Sequence, residues 1–395
     1  MRYLLAFLVI GALSGSLQAQ SDIEKALQTQ MILAKPGDTI YIPEGKHYLS
    51  NTLWLDGKQD VAIIGVGAER CVLSFAKQTQ GAEGIKVTNS QRITLARFTV
   101  EDSKGDLIKT QACDDLLFAN LTARWNGKPK SSNGGYALYP VQCQRVRIER
   151  CTAIGASDAG IYVGQSDSVW VTRCYAKHNV AGIEIENTTN AWVWNNITAY
   201  NTGGILVFDL PDLPKKAGGN VAVWNNKVVA NNHRNFAPKG NIVGKVPPGT
   251  GIMVLATQGV EIAGNSVFDN RTASTAVVSY YITENPLNDK DYKPCPQQVY
   301  IHDNVYSEGK RRPTLRNRLG MLLRFKFGRK LPHIIYDGIA CEQSGGNSAP
   351  ALCLGANTNG TFANLRADNK FKNISRDTQP YRCELPSLIP SDNYE

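Results

Sequence analysis

Histidine is scarce, with five in 395 residues, and none falls at a metal-ligand spacing from another. The chain holds no His-Glu-x-x-His, no Cys-x-x-Cys-His and no Gly-x-Ser-x-Gly. Those absences exclude the zincin metal site, c-type haem attachment and the nucleophile elbow of serine hydrolases. No stretch approaches 18 consecutive apolar residues, so no bilayer-spanning helix is expected. A basic field over the whole chain is also missing, although the formal net charge is +9. Nine Lys and Arg lie in residues 310–330 with no acid among them; outside that segment 34 basic residues face 34 acidic ones. The bulk of the chain is therefore neutral, and nucleic acid is not an expected partner.

What is present is a repeat. Ala159-Gly-Ile-Tyr-Val-Gly-Gln-Ser returns as Ala181-Gly-Ile-Glu-Ile-Glu-Asn-Thr and as Gly203-Gly-Ile-Leu-Val-Phe-Asp-Leu, at a spacing of 22 residues. A second pattern runs between the copies, at Val169-Trp-Val, Ala191-Trp-Val and Val221-Ala-Val. Alternation of period two within each run indicates strands, and the recurrence indicates stacked coils. The fold class expected is all-β, a right-handed parallel β-helix (solenoid), with a short N-terminal capping helix and a loop-rich C-terminal extension. Gly65-Val-Gly67 is followed by a strand-like run, Cys71-Val-Leu-Ser-Phe, rather than by a helix, which rejects a dinucleotide loop.

Three segments follow. Residues 1–19, with an apolar run from Leu4 to Leu13 and a small residue at Ala19, read as a secretory signal peptide. Residues 20–308 read as the β-helix with its cap. Residues 309–395 read as a basic helix, Pro313 to Phe327, and a cysteine-containing extension. The helix is read as covering the last coil with a solvated charged face, or as touching lipid or a polyanion. The leader and nine cysteines place the protein in the periplasm or outside the cell. Cys113 with Cys143, and Cys151 with Cys174, take equivalent places on adjacent coils about 4.8 Å apart. They are either bridged or stacked as core-filling thiols. Cys295, Cys341, Cys353 and Cys383 suffice for two bridges, leaving Cys71 single.

Amides recur at fixed places. Asn89, Gln111, Gln142, Gln165 and Asn187 share one turn, with Asp209 continuing the column; Asn196, Asn226, Asn265 and Asn304 share another. Stacked amides of this kind satisfy each other and the turn backbone.

The insertions point to a site. Residues 125–134 and 233–249 enter just before the first strand of a coil, and residues 210–220 and 283–297 leave just after it. All four therefore border the sheet containing Ile161, Ile183 and Ile205, and loops on both sides of a sheet make a cleft. The outward residues there are Tyr139, Tyr162, Glu184 and Leu206, with Val141, Gly164, Glu186 and Phe208 beside them. Glu184 and Glu186 are two residues apart on one strand, about 6.6 Å. Together with Tyr162 they form the candidate catalytic set. The carboxylates are equally a ligand pair for Ca²⁺, while Tyr139, Phe208, Asp209, Lys215 and Lys239 are candidate substrate contacts. Such groups fit proton abstraction beside a uronate carboxylate, with lysines on the loops to hold the charge. A solvated polar face with scattered lysines is the plainer alternative. Outward Trp170, Trp192, Trp194 and Trp224 offer sugar-stacking platforms on a second sheet, or lie under the C-terminal tail.

Gly160-Ile-Tyr-Val-Gly-Gln-Ser, Asn179-Val-Ala-Gly-Ile-Glu-Ile-Glu-Asn, Gly203-Gly-Ile-Leu-Val-Phe-Asp-Leu-Pro, Asn235-Phe-Ala-Pro-Lys-Gly and Pro248-Gly-Thr-Gly-Ile-Met resemble an exported bacterial family of parallel β-helix repeat proteins, over residues 35–305. The resemblance implies fold and export. More distantly the repeat is similar to those of alginate epimerases and polysaccharide lyases, although the epimerases' Asp-Pro-His-Asp motif is absent. Two functions stay open. One is a protein that engages a polysaccharide, as a uronate lyase or C5-epimerase. The other is a non-catalytic module for a cell-envelope protein partner.

Overall fold

The computed structural model describes residues 22–307, 312–315, 317–341 and 349–391; the leader expected at 1–19 lies outside them. The described strands wind into three parallel sheets of 11, 10 and 11 members. The chain is a right-handed parallel β-helix. One coil consists of β15 (Ala159–Gly164), β16 (Asp167–Thr172) and β17 (Tyr175–Lys177). The next consists of β18 (Ala181–Glu186), β19 (Thr189–Trp194) and β20 (Ile197–Ala199), followed by β21 (Gly203–Phe208) and β22 (Gly219–Trp224). Ile161 pairs with Ile183, which pairs with Ile205 and then Ile252, and all four are fully buried. The repeat exists because each coil buries its alternate β-branched side chains only against the neighbouring coils.

Polar columns close the turns. Asn196 donates to the carbonyl of Val171 and to Asn226 Oδ1, and the pattern continues through Asn265, Asn304 and Asn357 at 2.8–3.0 Å. Cys174 and Cys151 occupy the same column one and two coils earlier: the amide of Cys174 donates to Asn196 Oδ1, and its thiol contacts the carbonyls of Ile148 and Thr172. Gln111 departs from its expected turn. It pairs with Thr88 and Val141 at a strand end, and the left-handed turn place is taken by Ala112.

Cys295 bridges Cys341 and Cys353 bridges Cys383, whereas Cys71, Cys113, Cys143, Cys151 and Cys174 are buried free thiols. Of the two sequence readings for the stacked pairs, the structure has the core-filling one.

A helix over residues 22–33, α1, lays Leu27 and Met31 on the first coil. At the other end the sheets continue beyond the repeat legible in the sequence. Ile334–Tyr336, Leu352–Leu354 and Phe362–Asn364 each add a strand. The basic helix, α2, spans Arg318–Phe327 rather than starting at Pro313, because Asn317 caps it by accepting from the amides of Leu319 and Gly320. It does not close the end of the solenoid. Leu323, fully buried, joins Leu206, Phe208 and Met253 in a second apolar cluster on the outward face of the sheet that contains β15, β18 and β21.

Candidate functional site

The long loops, as expected, border that one sheet. Its outward residues read along the solenoid as Trp54, Lys86, Lys109 and Tyr139, then Tyr162, Glu184, Leu206 and Met253. The face is therefore zoned. The first coils carry an open basic and aromatic row: Trp54 is 49% exposed, Lys86 stands over its ring at 5.6 Å, and Lys109 stands over the Tyr139 ring at 5.0 Å. The middle coils carry tyrosines and carboxyls. The later coils are apolar and lie under α2 and the loops.

Tyr136, Tyr139 and Tyr162 pack ring against ring, with centroids 4.4–5.1 Å apart. Gly164 decides the direction of Tyr162. A Cβ at residue 164 would lie 2.2 Å from the Tyr162 hydroxyl, so the bare glycine lets the ring lie across it. The hydroxyl then donates to Glu186 Oε1 at 2.6 Å. Both glutamates are buried under the loops, Glu184 1% exposed and Glu186 8%. This differs from the solvent-facing pair that strand alternation alone suggests, because alternation points a side chain out of the sheet without showing what covers it.

Burial pushes Glu186 up to about 7; the Tyr162 hydrogen bond pulls the other way, and Asp158 and Asp209 push further. Glu184 is raised well above the ordinary carboxyl range by burial and then by Asp158 and Glu186. Among the described residues its Oε2 has no hydrogen-bond partner. Tyr139 is pushed to about 12 by burial, and Tyr162 is raised too, so both phenols keep their protons.

Asp158 belongs to the cluster and was not singled out from the sequence. Burial raises it to about 7, and its Oδ2 accepts from Asn241 on the loop before β24 (Thr250–Leu255) at 2.6 Å. The signal was available: where this coil has Asp158, the next ones have Val180 and Thr202. Asp106, raised to about 6 by burial, accepts from the Tyr136 amide at 3.1 Å.

The lysine walls are not where the sequence suggests. Lys215 turns away to the Ser166 carbonyl and to Thr189 Oγ1. Lys216 ties its loop to Asp289, Lys245 ties its loop to Thr283 and Asn285, and Lys239 is exposed at a loop tip. Among the described residues no ion pair reaches Glu184, Glu186 or Asp158. Phe208 pairs with Glu186 and floors an apolar cavity of about 600 Å³ with Met253, Leu255 and Leu319. Asp209 is buried, its Oδ1 accepting from the Gly218 amide, and burial raises it to about 6.

Among the described residues no third His, Cys, Asp or Glu converges with Glu184 and Glu186 on a cation position, so a Ca²⁺, which takes six to eight oxygens, would need backbone, amide or water oxygens beside that pair. The second aromatic surface is partly covered: Trp170 stacks on Trp192 at 5.3 Å, and Trp192 Nε1 donates to the Leu388 carbonyl of the C-terminal tail.

A solenoid whose long loops all flank one sheet, over a row of tyrosines and carboxyls, is the class of protein defined here. The family described as "Right handed beta helix region" matches residues 130–289. Among solved structures, the A-module of mannuronan C-5 epimerase AlgE4 from Azotobacter vinelandii is 13% identical, with a TM-score of 0.51 over 86% of this chain and 90% of that one. The AlgE6 A-module of the same organism is 14% identical, with a TM-score of 0.51 over the same shares. An alginate lyase from Paenibacillus sp. str. FPU-7 is 13% identical, with a TM-score of 0.50 over 73% of this chain and 94% of that one. At such identities the likeness is one of fold. No curated protein matches the sequence.

Proposed function

We propose that the chain binds an acidic polysaccharide along the zoned sheet and acts on it as a uronate lyase or C5-epimerase. The observation that carries this reading is the 2.6 Å hydrogen bond from Tyr162 to Glu186, a carboxyl held at about 7, at the end of the open Trp54–Lys86–Lys109–Tyr139 row. The solved structures named above as an epimerase and a lyase share the fold, and the chemistry is argued from these residues.

In both reactions a base takes the C5 proton, and the electron pair moves into the uronate carboxyl as an enolate. In elimination the C4–O4 bond then breaks, a C4=C5 double bond forms, and O4 leaves with a proton. In epimerisation a proton returns to C5 from the other face. Either route needs groups that exchange protons near neutrality, and Glu186 and Asp158 at about 7 supply them. Tyr162, raised and protonated, is a donor to O4 or C5. Lys109 and Lys86 neutralise uronate carboxylates on the approach. Glu184, Phe208 and Asp209 shape the far end, and Lys215 and Lys239 serve only at the rim. The leader and the two disulfides support a periplasmic or secreted location.

Incubation with uronate polymers, with and without Ca²⁺, tests the reading. Unsaturated product absorbing in the ultraviolet, or a changed epimer ratio by NMR, is the expected result. Burial of Glu184 at 1% exposure favours a second reading, a non-catalytic module that docks a glycan or an envelope protein partner. Measurable glycan binding with no turnover would select it.

A further inference from the structure

We propose that α2 docks the protein onto an anionic lipid surface. The helix has two apolar faces and the fold uses one. Leu323, Leu319 and Phe327 pack down on the outward face of the zoned sheet. Met321 and Phe325, one turn apart on another face, are held out, 36% and 81% exposed, and Leu315 just before the helix is 58% exposed. Exposed cations lie in and beside the same helix: Arg312, Arg318, Lys326, Arg329 and Lys330. Residues 310–330 contain no acid, and among the described residues the one acidic group paired with this surface is Glu284, on Arg318.

Large apolar side chains interleaved with Lys and Arg on a surface helix are the composition that lies in a lipid interface, with the rings among the acyl chains and the cations at the headgroups. A soluble polyanion would use the cations alone and leave Phe325, Met321 and Leu315 in water, so lipid is the better fit.

The test is sedimentation with vesicles. The chain is freed of residues 1–19, because that apolar run would itself enter lipid. Vesicles of phosphatidylcholine are compared with vesicles containing about a third phosphatidylglycerol. Binding only to the anionic vesicles, weakened by salt, is expected. M321S/F325S removes the apolar face and R318Q/K326Q/R329Q removes three charges. Each should weaken binding at least ten-fold, and the triple change by roughly a hundred-fold at low salt. All five positions are at the surface, so circular dichroism should match the parent. No sedimentation, or binding unchanged in both variants, overturns the proposal. So does binding to soluble polyphosphate that M321S/F325S leaves intact while vesicles are ignored, which marks a polyanion site.

Discussion

Tyr162 reaches Glu186 by lying across Gly164, a residue with no side chain to obstruct it. In Gly164→Ala the new Cβ would stand 2.2 Å from the phenol oxygen and 2.3 Å from Cε1, so the ring must leave and the hydrogen bond with it. The expected stability cost is about 1–3 kcal/mol, typical of overpacking. Glu186 loses a partner that holds its pKa down, so the acid-side limb of any pH–rate profile, set by the base, should move to higher pH. Gly67→Ala is the control, since its Cβ would meet only Arg70 Cδ at 3.9 Å. Thermal melts and a pH–rate series on both variants decide it; a Gly164→Ala protein with unchanged profile and stability would count against the geometry.

The buried acids make stability depend on pH in a defined sense. Glu186 moves from 4.5 to about 7 and Asp158 from 3.8 to about 7, each chiefly by burial. Acids raised in the folded state take up protons on folding. Their contribution is complete below about pH 4 and is lost as pH rises through 7. The melting temperature should therefore fall between pH 5 and 8. His302, raised by Glu261 and Asp303, acts in the same direction, so the informative quantity is the difference between parent and Glu186→Gln. That variant should flatten the slope and gain up to roughly 3 kcal/mol at pH 8. A slope identical to the parent's would mean that Glu186 is ionised in the fold.

The coil register was legible because burial at Ile161, Ile183 and Ile205 enforces a strict period, and the loop placement followed from counting residues between dyads. The covering of the sheet was not legible. Nothing local in Glu184-Ile-Glu186 reports that residues 231–249 and α2 pack onto the outward face of this sheet, and Lys215 faces elsewhere because of a distant turn at Ser166. Asp158 was detectable as an acid in a column of Val180 and Thr202. The late strands at residues 334–336, 352–354 and 362–364 escaped because long insertions break the period between them.

The cysteines give a direct chemical check. Peptide mapping of the unreduced protein should recover Cys295 with Cys341 and Cys353 with Cys383, and the other five as thiols that an alkylating reagent reaches only after denaturation. A Cys113–Cys143 or Cys151–Cys174 bridge would contradict their thiol contacts to Val87, Thr110, Phe118 and Ile148 carbonyls.

The amide column should be costly to interrupt. Asn226 is fully buried; it donates to Val193 and Asn265 and accepts from the amide and side chain of Asn196. Asn226→Ala removes all four contacts and strands polar groups where water does not reach. A loss of about 2–4 kcal/mol in denaturant unfolding is expected, above the value for one exposed hydrogen bond. A change under 0.5 kcal/mol would mean that water replaces the amide.

The last prediction separates approach from chemistry. Lys86 and Lys109 stand on the open coils, each over an aromatic ring, in register with Tyr139 and ahead of the buried carboxyls. They contact none of Glu184, Glu186 and Asp158, so replacing them leaves the proton-carrying groups intact. Both are partly exposed, which makes their contribution to folding small. K86E/K109E should therefore melt within about 2 °C of the parent, because a surface change of a few tenths of a kcal/mol moves the midpoint of so large a chain little. Affinity for an acidic polymer should nonetheless fall about ten-fold or more, and the salt dependence of the remaining binding should flatten, since screening acts on the charges removed. A neutral glucan, lacking carboxylates, should bind parent and variant alike. Equal loss for the neutral and acidic polymers would mean that the row serves through its Trp54 and Tyr139 rings. No loss for either would place the polymer elsewhere, with the Trp170–Trp192 stack as the next surface to probe.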